Sequence, residues 1–309
     1  MRHLAISACL GLVAALAAGP AAAQLPPGCQ QQITDYGDAP ECILAYPGVI
    51  GNFPTCSGTC GPAGTQQADC APISSPPGAA AGFVEHFLPF GFTHFWLGCY
   101  TPAAPSGVDS EPDGKTNTPA VGASACLAGV PTDCVEVAPW GMTFDQDECY
   151  ADGVDAGITT PLTFSTCAPN VVSYNVANCA STPANAVLNI LVDWNQDGDW
   201  NDNFACPTGC AYEWAVKNAP IVIPPGCTAL SSPAFLSGPF PGNGWLRITI
   251  TQSPVADDFP WNGSASSPTI GPTGRHAYVS GETEDYPVLI EKPVPTQAGS
   301  WGSVKALYR

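Results

Sequence analysis

Proline and glycine interrupt this chain so often that long helices have no room to form. The 309 residues hold 34 prolines and 32 glycines. Inside a helix, proline removes a backbone hydrogen bond and glycine is disfavoured by about 1 kcal/mol relative to alanine. No long run shows a 3.6-residue apolar period, whereas two-residue alternation is frequent. Residues 134–140, 161–167, 171–176, 213–216, 219–223, 245–251 and 286–290 read as short strands, most of them from their alternation. Ala186 to Val192 is an apolar run broken only by Asn189, as expected of a strand buried on both faces. Short strands separated by turn residues predict an all-β fold, an antiparallel β-sandwich with a loop-rich, disulfide-held N-terminal subdomain.

Residues 1–23 read as a secretory signal peptide. Arg2 supplies the positive start, Leu4 to Ala18 the apolar stretch, and Ala21-Ala22-Ala23 a small-residue cleavage site. No later segment approaches the roughly 20 apolar residues that span a bilayer, so no transmembrane segment is expected in the mature chain. Of fifteen cysteines, Cys9 leaves with the signal, and an even fourteen remain for an oxidising compartment. Their pairing is left open. Cys56/Cys60 and Cys206/Cys210 have C-x3-C spacing, but no histidine stands nearby at zinc-site spacing. Residues 24–133 form the cysteine-rich, loop-rich subdomain, with an aromatic stretch from Phe83 to Trp96. The sandwich follows over 134–291, and 292–309 is a linker with a short basic-aromatic tail.

Twenty-six acids stand against eight lysines and arginines. That balance repels phosphate backbones, so no nucleic-acid partner is expected, and it attracts divalent cations. The acids are clustered. Asp193-Trp194-Asn195-Gln196-Asp197-Gly198-Asp199-Trp200-Asn201-Asp202 directly follows the apolar run. Oxygen-bearing side chains at 193, 195 and 197, followed by Gly198, reproduce the first half of a D-x-[DN]-x-D-G calcium loop. The twelfth position, where an EF-hand places a bidentate glutamate, is Phe204. A further carboxylate must therefore come from elsewhere in the chain.

Three segments in order are similar to the GEVED domain of secreted bacterial multidomain proteins. They are Val192 to Trp200, Trp245-Leu246-Arg247-Ile248-Thr249-Ile250, and Gly281-Glu282-Thr283-Glu284-Asp285-Tyr286. Thr283 stands where the family has valine. Upstream, Asp35-Tyr36-Gly37-Asp38-Ala39-Pro40 resembles a segment that often precedes such domains. The resemblance implies a β-sandwich with a surface, adhesive or structural role, and it does not imply a catalytic activity.

The expected metal ligands are Asp193, Asn195, Asp197 and Asp199, with Glu282 and Glu284 closing the shell around a structural calcium ion. In an extended strand, 282 and 284 point to one face and 283 and 285 to the other. Arg247, in an apolar strand, is expected to pair with Glu284 or Asp285, because an unpaired buried guanidinium is expensive. Asp109/Glu111/Asp113 and the acids between Asp145 and Asp155 are further cation candidates. No catalytic residues are assigned. The function expected is an exported, calcium-binding structural or adhesive module on a bacterial surface or outside the cell, with glycan, matrix or surface protein as partner. A carbohydrate-binding module would instead present Trp194, Trp200, Trp245 and Trp261 to sugar rings, the first two half-buried beside the acidic tip. A glycan-active enzyme would use a carboxylate pair, which has no short sequence signature; His86 and His94, which would share a face of one strand, are with Glu85 the other candidates for a metal or acid–base site.

Overall fold

The computed structural model describes residues 39, 41–53, 67–72, 86–87, 95–98, 157–158, 160–178, 180–255, 269–270, 276–279 and 281–293. The signal sequence, the strand expected at 134–140, the acids at 109–113 and 145–155, Glu85, His94, Trp261 and the terminal tail lie outside them. Every regular element among the described residues is a strand. In chain order these are β1 (Glu41–Tyr46), β2 (Val49–Asn52), β3 (His86–Phe87), β4 (Phe95–Leu97), β5 (Leu162–Ser165) and β6 (Pro169–Asn170). Next come β7 (Ser173–Asn178), β8 (Ala184–Val192), β9 (Asn203–Cys206), β10 (Gly209–Tyr212), β11 (Val216–Ile223) and β12 (Gly226–Ser231). The last are β13 (Phe235–Leu236), β14 (Gly242–Thr251), β15 (Thr269–Ile270), β16 (His276–Val279) and β17 (Gly281–Glu291).

Two sheets make the sandwich. One has five strands in the order β11-β8-β14-β17-β5, and the other has three in the order β12-β7-β4. Pairing is antiparallel throughout these sheets except that β5 joins β17 in parallel. A parallel partner cannot be reached by a tight turn, and here more than a hundred residues separate β5 from β17. β8 lies between β11 and β14, and residues 186–192 are all buried, which accounts for a run that is apolar except at Asn189, whose side-chain oxygen accepts the Trp214 indole N–H and the Asn218 N–H. β4 precedes the boundary at 134 drawn from the sequence, yet it hydrogen-bonds to β7 as an edge of the second sheet.

Alternation along the five-stranded sheet separates two cores. Leu188, Ile190 and Val192 of β8, Leu246, Ile248 and Ile250 of β14, and Tyr286, Val288 and Ile290 of β17 face the second sheet. The opposite face carries Leu191 and Trp245, which pack with Ala45, Tyr46 and Phe53 from the amino-terminal hairpin β1–β2 and with Trp200. One sheet is thus buried on both sides, by the second sheet and by upstream chain.

Disulfides fasten the periphery. Cys167 pairs with Cys206 and Cys70 with Cys210, and Cys227 is disulfide-bonded as well. Both cysteines of the second C-x3-C pair are therefore oxidised, each to a different partner, which excludes zinc there.

Candidate metal centre

The acidic loop leaves β8 at Val192 and returns to strand at Asn203. Its two tryptophans are bolted to opposite sides of the sheet. Trp194 turns into the core between the sheets, against Phe164 and Phe235, and its indole N–H donates to the Tyr212 carbonyl at 2.8 Å. Trp200 turns the other way, onto Phe53 at 4.4 Å between centroids, with the Arg247 guanidinium 4.8 Å from its ring centroid. Gly238 and Gly244 make room: a Cβ at Gly238 would collide with Trp194, and one at Gly244 would lie 2.8 Å from the Asp193 carbonyl. Trp194, Trp200 and Trp245 are all fully buried. The half-buried sugar platform expected for a carbohydrate-binding module is absent at these three positions, because each indole is used as an anchor.

Backbone hydrogen bonds set the loop's shape. The Asp193 carboxylate accepts the N–H groups of Gln196 at 2.6 Å and Gly198 at 2.9 Å. Gln196 and Gly198 both have positive φ, 63° and 92°, so the chain curls around that carboxylate, and glycine suits the second position. Glu213, in the turn between β10 and β11, accepts Trp194 N–H at 2.8 Å and Asp202 N–H at 3.0 Å. Two buried carboxylates thereby hold four backbone donors.

Inside this frame three carboxylates converge. One oxygen each of Asp197, Asp199 and Asp202 lies within 4.8 Å of the other two. The Asn195 amide nitrogen donates to Asp197 at 3.0 Å and to Asp202 at 2.7 Å. Asp202 also accepts Gln67 N–H at 2.5 Å, and Asp199 accepts Asn201 N–H at 3.1 Å. What remains is telling: Asp197 Oδ1, Asp199 Oδ2 and both amide atoms of Asn201 are buried without a hydrogen-bond partner among the described residues. Buried polar atoms are rarely left so, and a bound ion is one of the usual reasons. All-oxygen, carboxylate-rich donors suit a hard cation, and these residues fit one.

Electrostatics point the same way. Burial, reinforced by the charge of Asp197, pushes the Asp193 and Asp199 carboxyls up to about 8. Burial also lifts Asp202 to about 7, and it raises Asp197 and Glu213, the latter with added repulsion from Asp193. Crowded, desolvated carboxyls hold protons until a metal replaces them.

Of the residues expected to bind metal, Asn195, Asp197 and Asp199 come together, Asp193 stands behind them holding the loop's peptides, and Glu282 and Glu284 do not join them. Asp193 N–H bonds the Trp245 carbonyl at 3.0 Å, and Trp245 stands opposite Pro287. Glu284 and Glu282 are three and five positions further along β17, roughly 10 and 16 Å away at strand spacing. They share the face of Tyr286, inside the sandwich, where the Glu282 carboxylate accepts Leu97 N–H at 2.5 Å. The carboxylates set beside the loop are instead those of Asp202 and Glu213. Asp202 lay in the acidic stretch itself, but Glu213, Asn201 and Gln67 carried no spacing signal. The other face of β17 behaves as the alternation requires: Asp285 lies opposite Arg247 and grips it through Nε at 2.7 Å and Nη2 at 2.5 Å. His86 is buried, with Nε2 at 3.0 Å from the Thr283 hydroxyl.

Residues 187–289 match the GEVED domain family, and the loop, the arginine strand and the closing acidic strand all fall within the matched stretch. No curated protein matches the chain. Similar solved structures include alpha-2-macroglobulin from Escherichia coli, at 14% identity and TM-score 0.23, over 43% of this chain and 16% of that one. Another is the CARDB domain of a Pyrococcus furiosus protein in complex with di-metal ions, at 10% identity and TM-score 0.22, over 43% of this chain and 87% of that one. No helix among the described residues is long and apolar enough to cross a membrane.

Proposed function

We propose that this chain is an exported, non-catalytic β-sandwich module that holds calcium as a structural ion and serves as an adhesive or scaffolding part of a bacterial surface or extracellular matrix. The observation that carries the cation is the set of partnerless buried oxygens on Asp197 and Asp199, beside Asp202. Asp197, Asp199 and Asp202 supply the charge, Asn195 and Asn201 the amide oxygens, and Asp193 and Glu213 orient the loop. Calcium is favoured over magnesium because a flexible, mostly protein-built oxygen cage suits the larger ion. Export is supported by the oxidised cysteines and by the signal-like amino terminus. A glycan, matrix component or surface protein is the partner class proposed.

The test is thermal unfolding of the purified chain in chelator and in millimolar calcium, with bound metal identified by mass spectrometry. An ion present at a hundred times its Kd stabilises a fold by about 2.7 kcal/mol, so a clear rise in Tm is expected with calcium. Identical melting in both buffers and a metal-free protein would end the cation reading.

A further inference from the structure

Two stretches outside the matched domain reach the acidic loop. Gln67 N–H is donated to Asp202, and Tyr46, at the end of β1, is hydrogen-bonded to Asp193. Tyr46 is buried, and its oxygen accepts Trp245 N–H at 3.1 Å. Since the Tyr46 oxygen already accepts from the Trp245 backbone, its own O–H is left to donate to Asp193. The same hairpin segment is tied to this sheet face twice more. Ala39 N–H is donated to Asp285 at 2.7 Å, and Phe53 lies on Trp200, the residue after Asp199.

We infer that the upstream hairpin completes the metal centre, with Tyr46 as the positioning residue that couples calcium binding to hairpin docking. The inference rests on the cation reading above and extends it. Tyr46 fixes the Asp193 carboxylate; Asp193 fixes the Gln196 and Gly198 peptides; between them stands Asp197, with its partnerless Oδ1. On the far side, Phe53 presses on the ring that anchors the chain next to Asp199. A cation that draws Asp197 and Asp199 into one geometry therefore orders both surfaces on which the hairpin sits. By linkage, a docked hairpin must strengthen cation binding by the same factor. None of these hairpin residues lies within 187–289.

The experiment uses the full chain, with calorimetric calcium titration and amide hydrogen exchange in calcium and in chelator. Calcium is expected to slow exchange both at 193–202 and in the hairpin at 41–53. Tyr46→Phe keeps the ring in its core and removes the hydroxyl. It should weaken calcium by up to about 10-fold, the low end of what losing a direct partner of a ligand costs, since Tyr46 acts on the ligands through Asp193. Calcium should then no longer slow exchange at 41–53 while still doing so at 193–202. Unaltered affinity in Tyr46→Phe, or a hairpin indifferent to calcium in the parent, would overturn the coupling while leaving the metal site standing. A parent that binds no calcium would remove the site and this inference together. If Tyr46→Phe fails to fold, Phe53→Leu decides: weakened calcium affinity supports the coupling, and unchanged affinity rejects it.

Discussion

Asp199 and Asp193 illustrate how a carboxylate is made to want a partner. Each is fully buried, and each is pushed to about 8, by burial first and by neighbouring acids second. An unfolded aspartate titrates near 4, so between about pH 4 and 8 the folded chain holds protons that the unfolded chain has lost. Stability from these groups is complete below about pH 4 and is lost as pH rises through 8. Melting in chelator should accordingly fall steadily from pH 5 to pH 9, and saturating calcium should flatten that slope, since the ion takes the protons' place. A chelator profile that rises over the same range would contradict the buried cluster. Arg247 and Asp285 are the opposite case, a satisfied pair. Asp285→Ala removes the carboxylate from a buried guanidinium and is expected to destabilise by about 3–5 kcal/mol in denaturant unfolding. Replacing both residues with apolar ones should recover much of that loss. The pairing was legible beforehand, because an arginine inside an apolar strand demands an acid on the strand beside it. Which carboxylates close the acidic loop was not legible, because it depends on register. The pairing that sets Trp245 against Pro287 also carries Glu282 and Glu284 away from Asp193.

Among the elements, β5, β7, β14 and β17 were recovered from alternation and β8 from its apolar run, and each has at least one face on a core. β8 stood out because it is covered on both sides and is almost wholly apolar, its one central polar side chain, Asn189, being bonded to Trp214 and Asn218. β11 was read as two pieces because its polar residues Lys217 and Asn218 break the alternation; Asn218 has φ 49° and the β8 pairing slips register there. β12 escaped notice because it is an edge whose residues are exposed or half-exposed, and β4 because three residues carry no period. The start of β17 depends on a glycine. Gly281 has φ +98°, and a Cβ there would run into the Ile250 carbonyl. Gly281→Ala should therefore cost more than about 1 kcal/mol, combining a left-handed backbone with a collision. Urea unfolding measures it, and a neutral result would mean that β14 and β17 are less closely paired at that end than their register implies.

At the scale of the whole molecule, the domain recognised over 187–289 is narrower than the unit that packs. It omits β4, β5 and β7, two strands of the second sheet and one edge of the first, and it omits the hairpin over Trp200 and Trp245. Produced alone, residues 187–289 should show no cooperative thermal transition, whereas the full chain should show one; a sharp transition in the fragment would make the upstream strands accessory. The sequence announced the strand class and the acidic loop because both are local patterns. It did not announce that upstream chain is built into the sandwich, because those contacts join residues far apart in the chain, Phe95 with Asn178 in the second sheet and Tyr46 with Trp245 on the first.

The bond between Cys70 and Cys210 spans 140 residues, whereas that between Cys167 and Cys206 spans 39. A polypeptide grows from its amino end, so Cys70 exists as a waiting thiol long before its proper mate has been made. Other thiols closer by are available to it in the meantime, and any bond formed with them must be exchanged later through a mixed intermediate. Yield of the correctly bridged protein should therefore depend on an isomerase rather than on oxidising power alone.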